Sequence, residues 1–185
     1  MTKATDVPIV VRRVASVNPA TGKALREFDC VTEIEVQAAV ARAHVAQSAW
    51  NDLGVRKRIA ILRNFQKLLY EHKSEVAGVI TSEAGKPPVE ALLTEVLVVL
   101  DSARFCIENA YNFLREEPVP HGSLALKTKS GRLLREPHRV IGIISPWNYP
   151  FSIPATESLA ALVTGNAVVL KPSEFTSLCA LKLGS

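Results

Sequence analysis

The chain has 185 residues, of which 48% are hydrophobic and 22% charged, and its formal net charge is +4. This globular composition excludes a disordered protein, and the small basic excess with only 6% aromatic residues argues against nucleic-acid binding. Three scattered cysteines, Cys30, Cys106 and Cys179, follow no metal-ligand or disulfide spacing, which favours a reducing, cytoplasmic compartment. No stretch has the character of a signal peptide or a membrane span, so no membrane partner is expected.

The first segment, residues 1–31, is predicted to form a small antiparallel hairpin. Residues 9–11 and 14–17 are β-rich, and residues 18–23 contain the proline and glycine typical of a turn. Residues 25–28 can return as the second strand.

The second segment, from residue 32 to about 117, has helical periodicity. Thr32 and Glu35 have the spacing of a capping box, which predicts that a helix begins there. Pro118 and Pro120 are expected to end the last helix. Three helices are predicted, over residues 33–50, 55–84 and 89–115.

A second hairpin is predicted after residue 119. Residues 123–129 alternate apolar and polar side chains, residues 130–131 can turn, and residues 133–135 can return. The segment is basic, which suits an exposed ribbon, and it lacks the interleaved aromatic residues of a nucleic-acid surface.

From residue 139 the pattern becomes strand, helix, strand. Residues 140–145 and 167–170 are continuous apolar runs, which predicts parallel strands buried on both faces. Residues 152–164 suit the crossover helix, and Thr176 or Ser177 can begin a further helix. Ligands of such units bind beyond the carboxyl ends of the strands, where the loops 146–150 and 171–174 lie.

Both loops carry side chains suited to chemistry. Asn148, beside Trp147, can donate amide N–H bonds to an oxyanion that forms when a nucleophile attacks a carbonyl, or it can bond its own backbone in a turn. Lys171 and Glu174 can hold the hydroxyls of a ribose, or form a solvated ion pair at a helix start. The sequence has no glycine-rich phosphate loop and no paired Cys/His metal set.

Two long motifs resemble the aldehyde dehydrogenase superfamily: Ser145-Pro146-Trp147-Asn148-Tyr149-Pro150, and residues 165–174 (GNAVVLKPSE). Residues 18–22 and 83–87 also resemble family segments, in the family's order and approximate spacing. The resemblance implies an α/β fold, the N-terminal part of the aldehyde dehydrogenase fold. It would comprise a helical region, the start of a Rossmann-like parallel sheet and an antiparallel oligomerisation hairpin.

The resemblance also implies a division of the chain into three parts. Residues 1–118 would form the N-terminal hairpin and the helical part of the cofactor-binding domain. Residues 119–139 would form the oligomerisation hairpin, which implies a homo-oligomer when the protein is intact. Residues 140–185 would form the first βαβ unit of the cofactor-binding domain.

The implied reaction is the oxidation of an aldehyde to a carboxylic acid with NAD or NADP. A cysteine thiolate attacks the aldehyde, the Asn148 amide holds the oxyanion, hydride passes to the cofactor, and a glutamate-activated water releases the acid. Glu174 favours NAD, because its carboxylate would repel the 2′-phosphate of NADP, whereas Lys171 favours NADP, because its ammonium could pair with that phosphate; NAD is the expected cofactor. The implied cofactor-binding or channel residues are Ile144, Ser145, Pro146, Trp147, Lys171, Ser173 and Glu174.

The sequence departs from the family in its length. A family member runs to well over twice 185 residues, and the nucleophilic cysteine, the glutamate base and a glycine-rich cofactor turn lie beyond residue 185. We therefore expect an N-terminal fragment that does not oxidise aldehydes alone. Two alternatives remain open: a stand-alone nucleotide-binding pseudoenzyme, and an interaction module that pairs with a full-length relative.

Overall fold

A computed structural model describes residues 12–120, 122–123, 125 and 128–185. Its N-terminal half comprises β1 (Arg13–Val17), β2 (Ala24–Asp29), α1 (Glu33–Asp52), α2 (Gly54–Glu71), α3 (Lys73–Ala84), α4 (Pro88–Ala91), a π-helical turn (Leu92–Val96) and α5 (Leu97–Leu114). Its C-terminal part comprises β3 (Glu117–Val119), β4 (Gly131–Leu133), β5 (Val140–Ile144), α6 (Ser152–Val163), β6 (Ala167–Lys171) and α7 (Ser177–Gly184). No helix in the described ranges is long and apolar enough to cross a membrane.

The N-terminal hairpin is confirmed for the described residues. β1 pairs antiparallel with β2, from Arg13 opposite Asp29 to Val17 opposite Ala24. The Asn18 side-chain oxygen accepts the backbone N–H groups of Ala20 (2.9 Å) and Thr21 (3.1 Å), which fixes the turn. The predicted strand residues 9–11 lie outside the described part of the chain.

The capping box is confirmed, but the second predicted helix is two helices. The Thr32 hydroxyl accepts the Glu35 N–H at 3.3 Å, and the Glu35 carboxylate accepts the Thr32 N–H at 2.7 Å. The chain leaves helical geometry at His72 (φ −98°, ψ 13°), which separates α2 from α3. Periodicity does not reveal this break, because Leu69 and Val76 lie seven positions apart and are both buried.

The third predicted helix is interrupted by the π-helical turn. Within this turn the Leu97 N–H bonds to the Leu92 carbonyl, five residues back. Two consecutive residues, Glu95 and Val96, are both buried there. The apolar stripe then continues along α5 through Val99, Ala103 and Ile107 in the core.

The basic ribbon pairs differently from the prediction. The strand expected at residues 123–129 is wrong as the partner, because β4 pairs antiparallel with β3, and Glu117 lies opposite Leu133. Two exposed ion pairs also join this part of the chain: Arg132 with Glu116 at 2.8 Å, and Arg135 with Glu117 at 2.9 Å. Residues 124, 126 and 127 of the expected strand lie outside the described residues.

The strand–helix–strand unit is confirmed. β5 and β6 are parallel, from Val140 opposite Ala167 to Ile144 opposite Lys171, and α6 connects them. The expected burial of both strand faces is wrong, because Ile144 is 82% exposed. Val168 and Leu170 instead line an open apolar groove of about 920 Å³ beside α2, α6 and α7. α6 packs against α2, α5 and both strands, so it joins the helical region to the sheet.

Candidate functional site

The two chemically interesting loops lie side by side at the carboxyl ends of β5 and β6. The Ser145 N–H donates to the Lys171 carbonyl at 3.1 Å, which extends the parallel pairing by one residue. Loop 146–150 leaves this point toward α6, and loop 172–176 leaves it toward α7. The two candidate loops therefore leave the same edge of the sheet, as predicted.

Loop 146–150 presents Trp147 and Asn148 to solvent. Trp147 is 59% exposed and Asn148 is also exposed, whereas Pro150 is buried and anchors the end of the loop. Within the described residues, the Asn148 side chain makes no hydrogen bond, so the turn-forming alternative has no contact to support it. The amide N–H groups are accordingly available to a ligand.

Loop 172–176 presents an acid and a base. The Lys171 ammonium lies 3.7 Å from the Glu174 carboxylate, and both side chains are more than half exposed. A hydrogen bond from its own backbone N–H, assisted by Lys171, lowers the pKa of Glu174, so this carboxylate is ionised at neutral pH. Ser173 is buried, and its hydroxyl oxygen accepts the Phe175 N–H at 3.3 Å. Ser173 thus shapes the loop that carries Glu174.

A buried carboxylate, which the sequence analysis missed, caps the N-terminus of α6. Glu95 Oε2 accepts the backbone N–H groups of Phe151 (3.1 Å) and Ser152 (2.8 Å), and Glu95 is completely buried. Its other oxygen accepts Lys86 Nζ at 2.5 Å. A signal was present in the sequence, because Glu95 interrupts an apolar stripe that a solvated acid would avoid.

A second buried carboxylate caps the N-terminus of α7 in the same way. Glu83 Oε1 accepts the Leu178 N–H (2.8 Å) and the Ser16 hydroxyl (2.6 Å), and Oε2 accepts the Cys179 N–H (2.7 Å). Glu83 is only 3% exposed. Sequence gave no sign of this contact, because Glu83 and Cys179 are separated by 96 positions.

The Glu95 and Glu83 carboxylates occupy the backbone N–H groups at the starts of α6 and α7. In dinucleotide folds the pyrophosphate binds at a helix N-terminus, where backbone N–H groups point at it. At α6 and α7 those N–H groups already donate to Glu95 and Glu83. The exposed Lys171–Glu174 pair remains open to solvent, whereas the N–H groups at both helix starts are already bonded to carboxylates and do not suit a phosphate.

The C-terminal end of α6 is fixed by polar side chains from α1 and α2. Arg58 Nε donates to the Val163 carbonyl at 3.2 Å, and Trp50 Nε1 donates to the Leu162 carbonyl at 2.8 Å. Gln47 Nε2 donates to the Gly165 carbonyl at 2.9 Å. α6 therefore has a carboxylate at its positive end and a guanidinium at its negative end, as the helix dipole favours.

The cysteines of this chain lack the features of a catalytic nucleophile. Burial raises the pKa of the Cys106 and Cys179 thiols, which keeps both protonated and unreactive at neutral pH. Cys30 is partly buried and follows β2, away from loop 146–150 in the chain. Across the described residues, no three His, Cys, Asp or Glu side chains are placed to hold a metal ion.

A parallel βαβ unit with polar loops at its carboxyl edge defines an α/β class of protein, in which ligands commonly bind at that edge. More specifically, the chain belongs to the aldehyde dehydrogenase family, whose family model matches residues 9–185. The predicted family and fold class are thereby confirmed.

Known relatives agree with this assignment. The mitochondrial succinate-semialdehyde dehydrogenase of Oryza sativa subsp. japonica is 36% identical over 167 residues, which is 89% of this chain and 30% of the rice protein. The NADP-dependent glyceraldehyde-3-phosphate dehydrogenase of Bacillus halodurans, solved with NADP, is 31% identical with a TM-score of 0.84, over 94% of this chain and 36% of that chain.

A third relative uses the other cofactor. The NAD-dependent benzaldehyde dehydrogenase of Corynebacterium glutamicum is 27% identical with a TM-score of 0.82, over 91% of this chain and 36% of that chain. Members of the family thus use NAD or NADP. The chain spans about 30% of the length of the curated relatives it matches.

Proposed function

We propose that this chain supplies one part of an aldehyde dehydrogenase that oxidises an aldehyde to a carboxylic acid with NAD or NADP. The observation that carries the proposal is the pairing of Ile144 with Lys171, which brings the loops with Asn148 and Glu174 to one sheet edge. The nucleophile and the general base are proposed to come from outside residues 1–185; burial raises the pKa of the Cys106 and Cys179 thiols, which argues against these two cysteines as the nucleophile.

Asn148 is the proposed oxyanion donor. When a nucleophile attacks the aldehyde carbon, the carbonyl oxygen gains negative charge, and an amide N–H already in place stabilises that charge. Three observations support this role: the Asn148 amide is exposed, it makes no hydrogen bond within the described residues, and it lies on a loop anchored by buried Pro150.

Lys171 and Glu174 are the proposed contacts to the adenosine ribose. The ionised Glu174 carboxylate accepts hydrogen bonds from ribose hydroxyls, and the Lys171 ammonium donates to them. When bound, the nicotinamide of NAD or NADP supplies the hydride acceptor. The remaining proposed cofactor-site or channel residues are Ile144, Ser145, Pro146, Trp147 and Ser173.

Assembly and organisation follow the same proposal. Residues 1–118 would be the helical part of the cofactor-binding domain, 119–139 the ribbon that joins subunits of a cytoplasmic homo-oligomer, and 140–185 the first βαβ unit. The exposed, ion-paired β3–β4 ribbon supports the second of these roles, because an unpaired strand edge is a template for association.

The oxyanion role can be tested in a chimera in which this chain replaces the segment of the rice enzyme that it matches, about 30% of that protein. Asn148→Ala should lower kcat by about 10²–10³, and calorimetric NAD affinity should stay the same. Asn112→Ala is the control, because Asn112 is exposed on α5. An unchanged kcat, with chemistry shown to be rate-limiting, would return Asn148 to the turn-forming alternative.

Cofactor choice has its own test in the same chimera. Glu174 should favour NAD, because its carboxylate repels a 2′-phosphate. Glu174→Gln should therefore raise kcat/KM with NADP relative to NAD, whereas Glu157→Gln on the exposed side of α6 should not. A chimera that prefers NADP before any substitution would contradict this assignment.

A further inference from the structure

The two residues that follow loop 146–150 are bonded to the helical region. Glu95 lies on the π-helical turn, and its Oε2 accepts the N–H groups of Phe151 and Ser152, directly after the loop. Because Glu95 is completely buried, these bonds are shielded from competing water.

Lys86 joins the carboxylate to the loop itself. Its Nζ donates to Glu95 Oε1 at 2.5 Å and lies 3.8 Å from the centre of the Tyr149 ring. An ammonium over an aromatic face is attracted by the ring, most strongly where water is excluded, and the Lys86 side chain is only 12% exposed. Tyr149 is the neighbour of Asn148, so the contact acts one residue from the amide.

Glu95 lies in the π-helical turn, next to Val96. Val96 enters the apolar core, while the Glu95 carboxylate reaches the start of α6. Such turns interrupt a helix at some cost and occur frequently at functional sites.

A contribution to the stability of the fold does not by itself explain why Lys86 and Glu95 form a buried ion pair. A buried ion pair loses so much hydration that apolar residues of similar volume often serve as well. What apolar residues cannot do is accept two backbone N–H groups and hold an ammonium over Tyr149 at once. The geometry therefore suits a pair that fixes the position of a neighbouring backbone.

We propose that Lys86 and Glu95 are positioning residues that fix loop 146–150 and so aim the Asn148 amide at the reacting oxygen. This inference rests on the proposed oxyanion role of Asn148. Neither side chain touches the exposed edge where the substrate would lie, so both act through the loop.

Hydrogen exchange of the Phe151 and Ser152 amides in the 185-residue chain tests the first half of the inference. Glu95→Gln keeps the side-chain shape but loses the charge that holds both amides and Lys86. Exchange at these two amides should become at least about tenfold faster. Glu90→Gln, an exposed acid one turn earlier, is the matched control and should leave both amides as protected as in the unaltered chain.

Turnover in the rice chimera tests the second half. Glu95→Gln should lower kcat at least about tenfold while the Kd for NAD stays unchanged. If Glu95→Gln does not fold, Tyr149→Leu removes only the ring under Lys86, and it should lower kcat by about threefold or more while leaving the two amides protected.

The outcomes separate this inference from the proposed function. If Asn148→Ala lowers kcat but Glu95→Gln and Tyr149→Leu do not, the positioning role is overturned and the oxyanion role stands. If Asn148→Ala has no effect on kcat, both are overturned, even if Glu95→Gln speeds exchange. Faster exchange together with lower kcat in Glu95→Gln, alongside the Asn148→Ala loss, supports the positioning role.

Discussion

The Glu83 carboxylate accepts the backbone N–H of Cys179 at 2.7 Å, across 96 positions of chain. α7 has no side-chain cap of its own, and neither does α6, whose first N–H groups bond to Glu95 instead. Both helices of the βαβ unit thus depend on acids from the helical region. The helical region and the βαβ unit should consequently unfold together, because each helix loses its cap when the two separate.

Glu83→Gln should destabilise the fold by about 1–3 kcal/mol. The amide retains one oxygen acceptor, but it cannot satisfy the Ser16 hydroxyl and the Leu178 and Cys179 N–H groups together. Urea unfolding gives the change in free energy. Glu90→Gln is the control and should change it by less than about 0.5 kcal/mol; equal midpoints for the two variants would show that Glu83 is not a cap.

Local patterns in the sequence were sufficient for much of the fold. The capping box of Thr32 and Glu35, the Asn18 turn and the two apolar strands each depend on residues a few positions apart, and the structure contains all of them. The edge that carries Asn148 and Glu174 follows from the same reasoning, because parallel strands end at one edge.

Contacts between residues far apart in the sequence could not be predicted from local patterns. The break at His72 preserves the apolar stripe, so periodicity continues through it. The partner of β4 is β3, which the alternation of residues 123–129 does not indicate. Glu83 and Arg58 cap helices about 100 positions away, and only the folded chain brings them together.

Arg58→Met should also destabilise the fold by about 1–3 kcal/mol. Arg58 is buried, and its guanidinium donates to the Val163 carbonyl at 3.2 Å and to the Asn51 carbonyl at 3.0 Å. Burial lowers the pKa of Arg58, but a guanidinium stays charged at neutral pH. Methionine fills the space without replacing either bond. Lys57→Met, on the exposed side of α2, should leave the urea midpoint nearly unchanged.

Gly165→Ala and Gly78→Ala should have opposite effects. Gly165 has φ +94°, and an added Cβ would lie 2.6 Å from Asn51 Oδ1, so alanine is strained there and should destabilise by more than about 1 kcal/mol. Gly78 lies inside α3 with open space around it, where alanine should stabilise by about 0.5–1 kcal/mol. Thermal unfolding of both variants measures these changes; no loss of stability in Gly165→Ala would contradict the backbone strain assigned to Gly165.

The stability of the fold should fall at alkaline pH because of Cys179. Its thiol is fully buried, and burial together with the Glu83 carboxylate raises its pKa far above the ordinary value of about 8.5. Below about pH 8.5 the Cys179 thiol keeps its proton in both the folded and the unfolded chain, so ionisation costs the fold no stability. Above that pH only the unfolded chain releases the proton, so unfolding becomes more favourable as pH rises.

Cys179→Ala isolates this contribution. The substitution removes packing around α7, which gives a constant loss at all pH values, but it also removes the ionisable thiol. The free-energy difference between the unaltered chain and the variant should therefore shrink by about 2 kcal/mol between pH 8 and pH 10. Urea unfolding at both pH values measures it. A difference that stays constant would mean that water reaches the Cys179 thiol and that the first turn of α7 is open in the folded protein.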